Sequence, residues 1–271
     1  MNKFIGIFFL SACALWAQDG IEKANVPIQD PSRPIRLHAS LLLGGITVRG
    51  DDVKEVTVEA RAREGHRRHE PQSDRSEGMR RIDMSNPGLD VTEDNNVVTI
   101  KTSSWSQPAD LVVTVPRQTS LELKCLNGGG IDVSHVSGEI DVDNLNGGIT
   151  LMDVSGSVLA HSLNGAIHVT LDHVNPGKPM SFSTLNGEID VTLPDDVKAN
   201  VRMKTDNGAI YSDFDIKLSG SIGPVPGESG RQSDGRYHLR FDRALTGTIN
   251  GGGPEFQFTS FNGQIYIRKR K

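Results

Sequence analysis

One phrase returns six times and constrains the fold more than any other feature of this chain. It reads Leu126-Asn127-Gly128, Leu145-Asn146-Gly147, Leu163-Asn164-Gly165 and Leu185-Asn186-Gly187, then Asp206-Asn207-Gly208 and finally Phe261-Asn262-Gly263. Successive asparagines among the first five are 19, 18, 22 and 21 residues apart. A second phrase, Val136-Ser137-Gly138 and Val154-Ser155-Gly156, divides the early periods in half. A fixed period near 20 predicts coils stacked one on the next. After each Asn-Gly come apolar residues two apart: Ile131/Val133, Ile149/Leu151, Ile167/Val169, Ile189/Val191 and Ile265/Ile267. Alternation with period 2 puts these on the inner face of a strand and Asp132, Thr150, His168, Asp190 and Tyr266 on the outer. Asn-Gly supplies the turn, since both residues tolerate φ > 0. One such coil cannot offset the entropy of ordering some 20 residues at ~1–2 kcal/mol each. A stack can, because every rung covers its neighbour. The expected fold is all-β: a single-chain β-solenoid, β-helix-like, with coils of 18–22 residues and an irregular β N-terminal part. The six asparagines should form a structural turn column, hydrogen-bonded from rung to rung as in stacked sheets.

The rest of the chain divides around these repeats. Residues 1–17 read as a signal peptide, with Lys3, an apolar run from Phe4 to Trp16 and a small-residue cleavage site at Ala17. Leu10-Ser11-Ala12-Cys13 also resembles a lipobox, so lipid anchoring through Cys13 is the alternative to free secretion. Later apolar runs are too short for a transmembrane helix. Residues 18–34 read as an extended leader and 35–115 as N-terminal β-structure that continues or caps the stack. Its strands are interrupted by a basic insertion at 63–81, where Arg63, Arg67, Arg68, Arg75, Arg80 and Arg81 face only four acids. Such a stretch is a solvated loop, or a contact for an anionic polymer of the envelope. The repeats fill 116–218, a Gly/Ser/Pro loop follows at 219–235, and 236–271 forms a closing coil. Its phenylalanines fit a cap over the exposed end of the core.

Calcium would suit the phrase Gly128-Gly129-Gly130-Ile131-Asp132-Val133, which is close to that of a calcium-binding β-roll. The outward column then holds Asp132, Thr150, His168, Asp190, Tyr211 and Tyr266, too few oxygens for repeated sites. A polysaccharide-acting β-helix enzyme would need paired carboxylates in one groove, with Asp141, Asp143 and Asp153 as candidates. The bland reading is a solvated sheet face. His135, His161, His168 and His173 lack a ligand spacing, so no metal or other cofactor is expected. Cys125 remains as one small residue in a column with Asn144, Ser162, Thr184, Thr205 and Ser260. A formal net charge of −5 together with export argues against nucleic acid.

The run LNGGGIDV, VSGEIDV, LNGGITL, VSGSVLA and LNGAIHV, closing on GGGPEFQFTSFNGQIYIRK and preceded by GGITVRGDDVKEVTVEARA, resembles a bacterial family. These are exported β-strand-repeat proteins of unknown function, also called the "putative adhesin" family. The likeness covers roughly residues 35–271, less the two loops, and is specific for architecture only. It implies an exported β-solenoid, periplasmic or at the cell surface, associated in some members with envelope stress. The family offers no catalytic motif to carry over. The expected function is therefore non-catalytic, structural or ligand-binding, with an envelope component as partner.

Overall fold

In a computed structural model of the chain, the residues described are 16–18, 21–30, 32–63, 89–102, 108–219, 230–231, 237–238 and 244–271. Most of the signal segment with Cys13, every arginine of the basic insertion but Arg63, and most of 219–235 lie outside them. The fold is all-β. Among the described residues no helix occurs, so none is long and apolar enough to cross a membrane. One mixed sheet holds 21 strands, and Gly230–Arg231 with Tyr237–His238 makes a separate two-stranded piece.

Two parallel runs dominate the large sheet, one on either side of the recurring Asn-Gly phrase. Before the turns, Ile35–Leu43, Thr119–Asn127 and Ser137–Asn146 lie side by side, followed by the later half of Ile149–Asn164. Met180–Asn186, Glu255–Asn262 and Ala199–Asn207 complete this run. After the turns, Ile46–Asp51, Ile131–Ser134 and the first half of Ile149–Asn164 come first. Ile167–Val174, Ile189–Leu193, Ile265–Lys269 and Ile210–Ser212 follow in the same order. Register is set by burial, because a one-residue slip would turn every apolar side chain to water. Ile46, Ile131, Ile149, Ile167, Ile189 and Ile265 thus form one inward column, all fully buried. Leu37, Leu121, Ile140 and Val158 form another on the opposite run.

The rungs do not follow chain order. Residues 35–51 lie between 97–116 and 119–134. Residues 255–269 lie between 180–193 and 199–212. The phenylalanine-rich segment expected to cap the stack is therefore internal. Phe256 and Phe258 are fully buried, and Phe258 stacks on Phe182 with ring centroids 5.2 Å apart. The end is closed instead by Leu245–Ile249, antiparallel to Ala199–Asn207, with Lys217–Leu218 outside it and Phe214 buried. At the other end Glu55–Ala62 covers Ala109–Pro116 antiparallel, and Ile21–Pro27 covers Glu55–Ala62 in turn. The leader is thus partly a strand, with Val26 and Ile28 buried, and not a featureless extension. Antiparallel covers shield edges that would otherwise template further pairing.

The turns use glycine for a different reason from the one expected. Gly128, at φ +98, is left-handed, but Gly147 and Gly165 are not, and no column asparagine has positive φ. A Cβ on Gly147 would lie 2.1 Å from the Gly129 carbonyl oxygen, and one on Gly165 2.1 Å from that of Gly147. The carbonyls of the neighbouring rung fill that space. Close stacking, not backbone handedness, excludes a side chain there.

Candidate functional site

The turn column is a continuous amide ladder. Asn146 donates to the Asn127 side-chain oxygen at 2.6 Å, and Asn164 to Asn146 and Asn186 to Asn164 at 2.8 Å each. Asn262 then donates to Asn186, and Asn207 to Asn262, also at 2.8 Å. Two residues earlier runs a second ladder to the turn carbonyls, buried except at Thr205. Cys125 Sγ donates to Gly44 O, Ser162 Oγ to Gly147 O and Thr184 Oγ1 to Gly165 O. Ser260 Oγ donates to Gly187 O and Thr205 Oγ1 to Gly263 O, while the Asn144 amide serves both Gly129 O and Gly148 O. Burial pushes the Cys125 thiol up, which suits a hydrogen-bond donor more than a nucleophile.

The other concentration of polar groups faces outward from the run before the turns. Parallel pairing sets Glu122 beside Asp141 and Lys124 beside Asp143, and brings His38 beside Glu122 from 84 positions away in the chain. Glu122 is held at both oxygens, by His38 Nδ1 at 2.8 Å and Lys124 Nζ at 2.8 Å. The Lys124 hydrogen bond holds the Glu122 carboxyl below its ordinary range, aided by the charge of His38. Lys178 does the same for Glu139 through an ion pair. Asp141 is the exception, raised by burial first and then by the charges of Asp143 and Glu122. Glu122, Glu139, Asp141 and Lys178, with Arg36, Ser157 and an exposed Leu159, border an open recess of about 340 Å³. The carboxylates offer hydrogen-bond acceptors, and Lys178 and Arg36 donors, to a polar ligand in the recess.

Asp141 and Asp143 are brought together with Glu122, which sequence reasoning missed. Its signal was a long-range pairing and not a local motif. Asp153 is elsewhere: it lies in the second turn at φ 53 and shares Arg270 with Asp172. The histidines do not converge. His161 bonds Ser183 Oγ, His168 lies 3.7 Å from Glu188, and His135 occupies a turn at φ 57. Among the described residues no three metal-ligating side chains gather. Arg63 bonds Asp110 at 2.7 Å and also the Gly128 carbonyl, so its guanidinium ties the base of the insertion to the first turn. Arg67, Arg68, Arg75, Arg80 and Arg81 lie outside the described residues.

The raised carboxyl gives a sign for pH dependence. Asp141 binds its proton more readily folded than unfolded, so its ionised form opposes folding and that opposition fades as pH falls. Asp141→Asn is expected to melt higher than the parent at neutral pH and level with it in acid. Glu122 and Glu139 act in the reverse sense: the stability they contribute is present above the ordinary glutamate range and is lost as pH falls through their lowered values. Melting curves of parent and variant across pH decide this, and a lower melting point for Asp141→Asn at pH 7 contradicts it.

No protein-family model matches the chain, and no curated protein matches it. Among solved structures, it is similar to a "putative cell adhesion protein" from Clostridium sporogenes. That match has 12% identity over 92% of this chain and 100% of the other, with a TM-score of 0.43. A "putative adhesin" from Bacteroides fragilis matches at 10% identity, TM-score 0.35, over 93% and 98% of the two chains. Another from Parabacteroides merdae matches at 9% identity, TM-score 0.32, over 93% and 97%.

Proposed function

We propose that the chain is an exported, non-catalytic β-solenoid whose coils turn at Asn-Gly and whose outer faces serve an adhesin-like, ligand-binding role at the cell envelope. The observation that carries this is the pairing of outward charges across rungs. Glu122 is tied to His38 and Lys124, Glu139 to Lys178, Asp190 to Arg268, and Asp153 and Asp172 to Arg270. Charges paired with neighbours make a firm polar surface on which a ligand can rest. The recess at Asp141 is open, which suits contact with part of a larger polymer. Beyond Arg63, which is held by Asp110 and Gly128, the arginines of the 63–81 insertion add a second contact for anionic polymers, by bidentate bonds to phosphate or carboxylate.

Two measurements test the reading. Intact protein and a form lacking 64–81 are compared for retention on teichoic acid, lipopolysaccharide and heparin at low and high salt. Stronger, salt-sensitive retention of the intact form is expected, since exposed charges are screened over about 8 Å at physiological ionic strength. Identical retention removes the insertion from the binding surface. Turnover of an envelope polysaccharide that disappears in Asp141→Asn or Asp143→Asn would sink the non-catalytic reading and restore the enzyme.

A further inference from the structure

The segment 255–269 comes later in the chain than both of the rungs between which it is interleaved. Its partners on both sides match residue for residue. Phe256 lies between Met180 and Val201, Phe258 between Phe182 and Met203, and Ser260 between Thr184 and Thr205. Asn262 lies between Asn186 and Asn207, and Ile265 between Ile189 and Ile210. The two flanking rungs therefore present the same register to each other as to the insert. If the insert leaves, they can close with Asn207 on Asn186 and Ile210 on Ile189, and no strand need stay unpaired. The short connection 194–198 that now passes over the insert would then span one rung instead of two. A turn that exchange would use as its hinge precedes the insert, with the Asn250 amide donating to the carbonyls of Asp195 and Val197. Asn250, Gly251 and Gly252 all have positive φ (48°, 91° and 88°), and nothing approaches a Cβ built on Gly251 within 4 Å. The preceding strand, Leu245–Ile249, pairs with the other edge of Ala199–Asn207 and need not move.

We propose that 255–269 is an exchangeable strand, and that its partner outside the chain is a second copy of this protein. The insert of one copy enters the slot between 180–193 and 199–212 of the other. The contacts made are those made within one chain, so exchange alters only the hinge, which is the condition for strand-swapped assembly. The Phe-x-Phe-x-Ser-x-Asn-Gly-x-Ile pattern of the insert is the specificity element. Each apolar or polar side chain meets a like residue on both neighbours, and extended main chain supplies the hydrogen bonds. This inference rests on the register and not on any ligand of the outer faces.

The test uses outward, directly paired positions, Ser181 and Gln257. In full-length protein carrying Cys13→Ser and Cys125→Ser, one batch bears Ser181→Cys and another Gln257→Cys. The double variant serves as the ladder control and is expected to close a disulfide within one chain. Native mixing of the single variants is expected to give a disulfide-linked dimer that increases with protein concentration. A synthetic peptide of residues 254–271 should suppress it. Absence of the mixed dimer while the double variant closes overturns the proposal. So does a like-with-like dimer as abundant as the mixed one, which marks random collision. Failure of the double variant to close overturns the register on which the proposal depends.

Discussion

Replacing Phe258 by alanine is expected to cost about 3–5 kcal/mol, the range for emptying a fully buried aromatic site. For a chain of this length that corresponds to a fall in melting temperature of roughly 10 °C. Phe258 has no exposed surface, lies between Phe182 and Met203, and stacks on Phe182. Removing its ring leaves a cavity that strands on both sides cannot fill without breaking their register. Phe261, three residues on in the same strand, is exposed at the turn, so Phe261→Ala should change stability by only about 0.5 kcal/mol. The contrast separates an internal rung from an end cap. In a cap, Phe258 would be covered on one side only and the two losses would approach each other. Chemical denaturation of the two variants measures this, and comparable small losses contradict the interleaved position.

Gly165→Ala is expected to cost about 3 kcal/mol, the upper part of the range for overpacking, although alanine is the smallest side chain available. The new Cβ meets the Gly147 carbonyl carbon at 2.4 Å as well as its oxygen at 2.1 Å, and both are backbone atoms that a rotamer change cannot move. The rung must shift, and the shift strains the Gly165 N–H bond to Asn186 O at 2.9 Å and the Thr184 bond to Gly165 O at 3.0 Å. Thr150→Val, on the outer face of the adjoining strand, should stay within about ±0.5 kcal/mol. Equal melting shifts for the two variants contradict the close stacking of the turns.

The repeat made much of this legible in advance. Period 2 after each Asn-Gly identified the inward isoleucine column, because a strand has only two faces and one of them must be dry. The same spacing aligned Cys125 with Asn144, Ser162, Thr184, Thr205 and Ser260. Their shared carbonyl partners could not be read, since these are backbone atoms of the rung behind. The glycines were legible as invariant members of the phrase, but their physical reason was not: clearance to a stacked neighbour leaves no mark distinct from a left-handed turn. Leu43-Gly44-Gly45-Ile46 occupies a rung in the same register, with Leu43 where other rungs have asparagine, and the substitution hid it from the pattern.

At and beside the candidate recess, Asp141 and Asp143 were visible as neighbours on one strand. His38 and Glu122 were not, because pairing across a stack joins residues with no local relation. By itself, the sequence determined that the described chain would be β throughout, which residues face inward, and the register in which strands meet, because alternation and period are local properties. Only the tertiary structure decided which rung lies beside which. Residues 186, 207 and 262 carry the same asparagine and fit one another in any order. Their actual order depends on which closure best covers the large side chains of 256 and 258 and leaves antiparallel strands to seal both ends, and that competition is settled by packing across the whole stack.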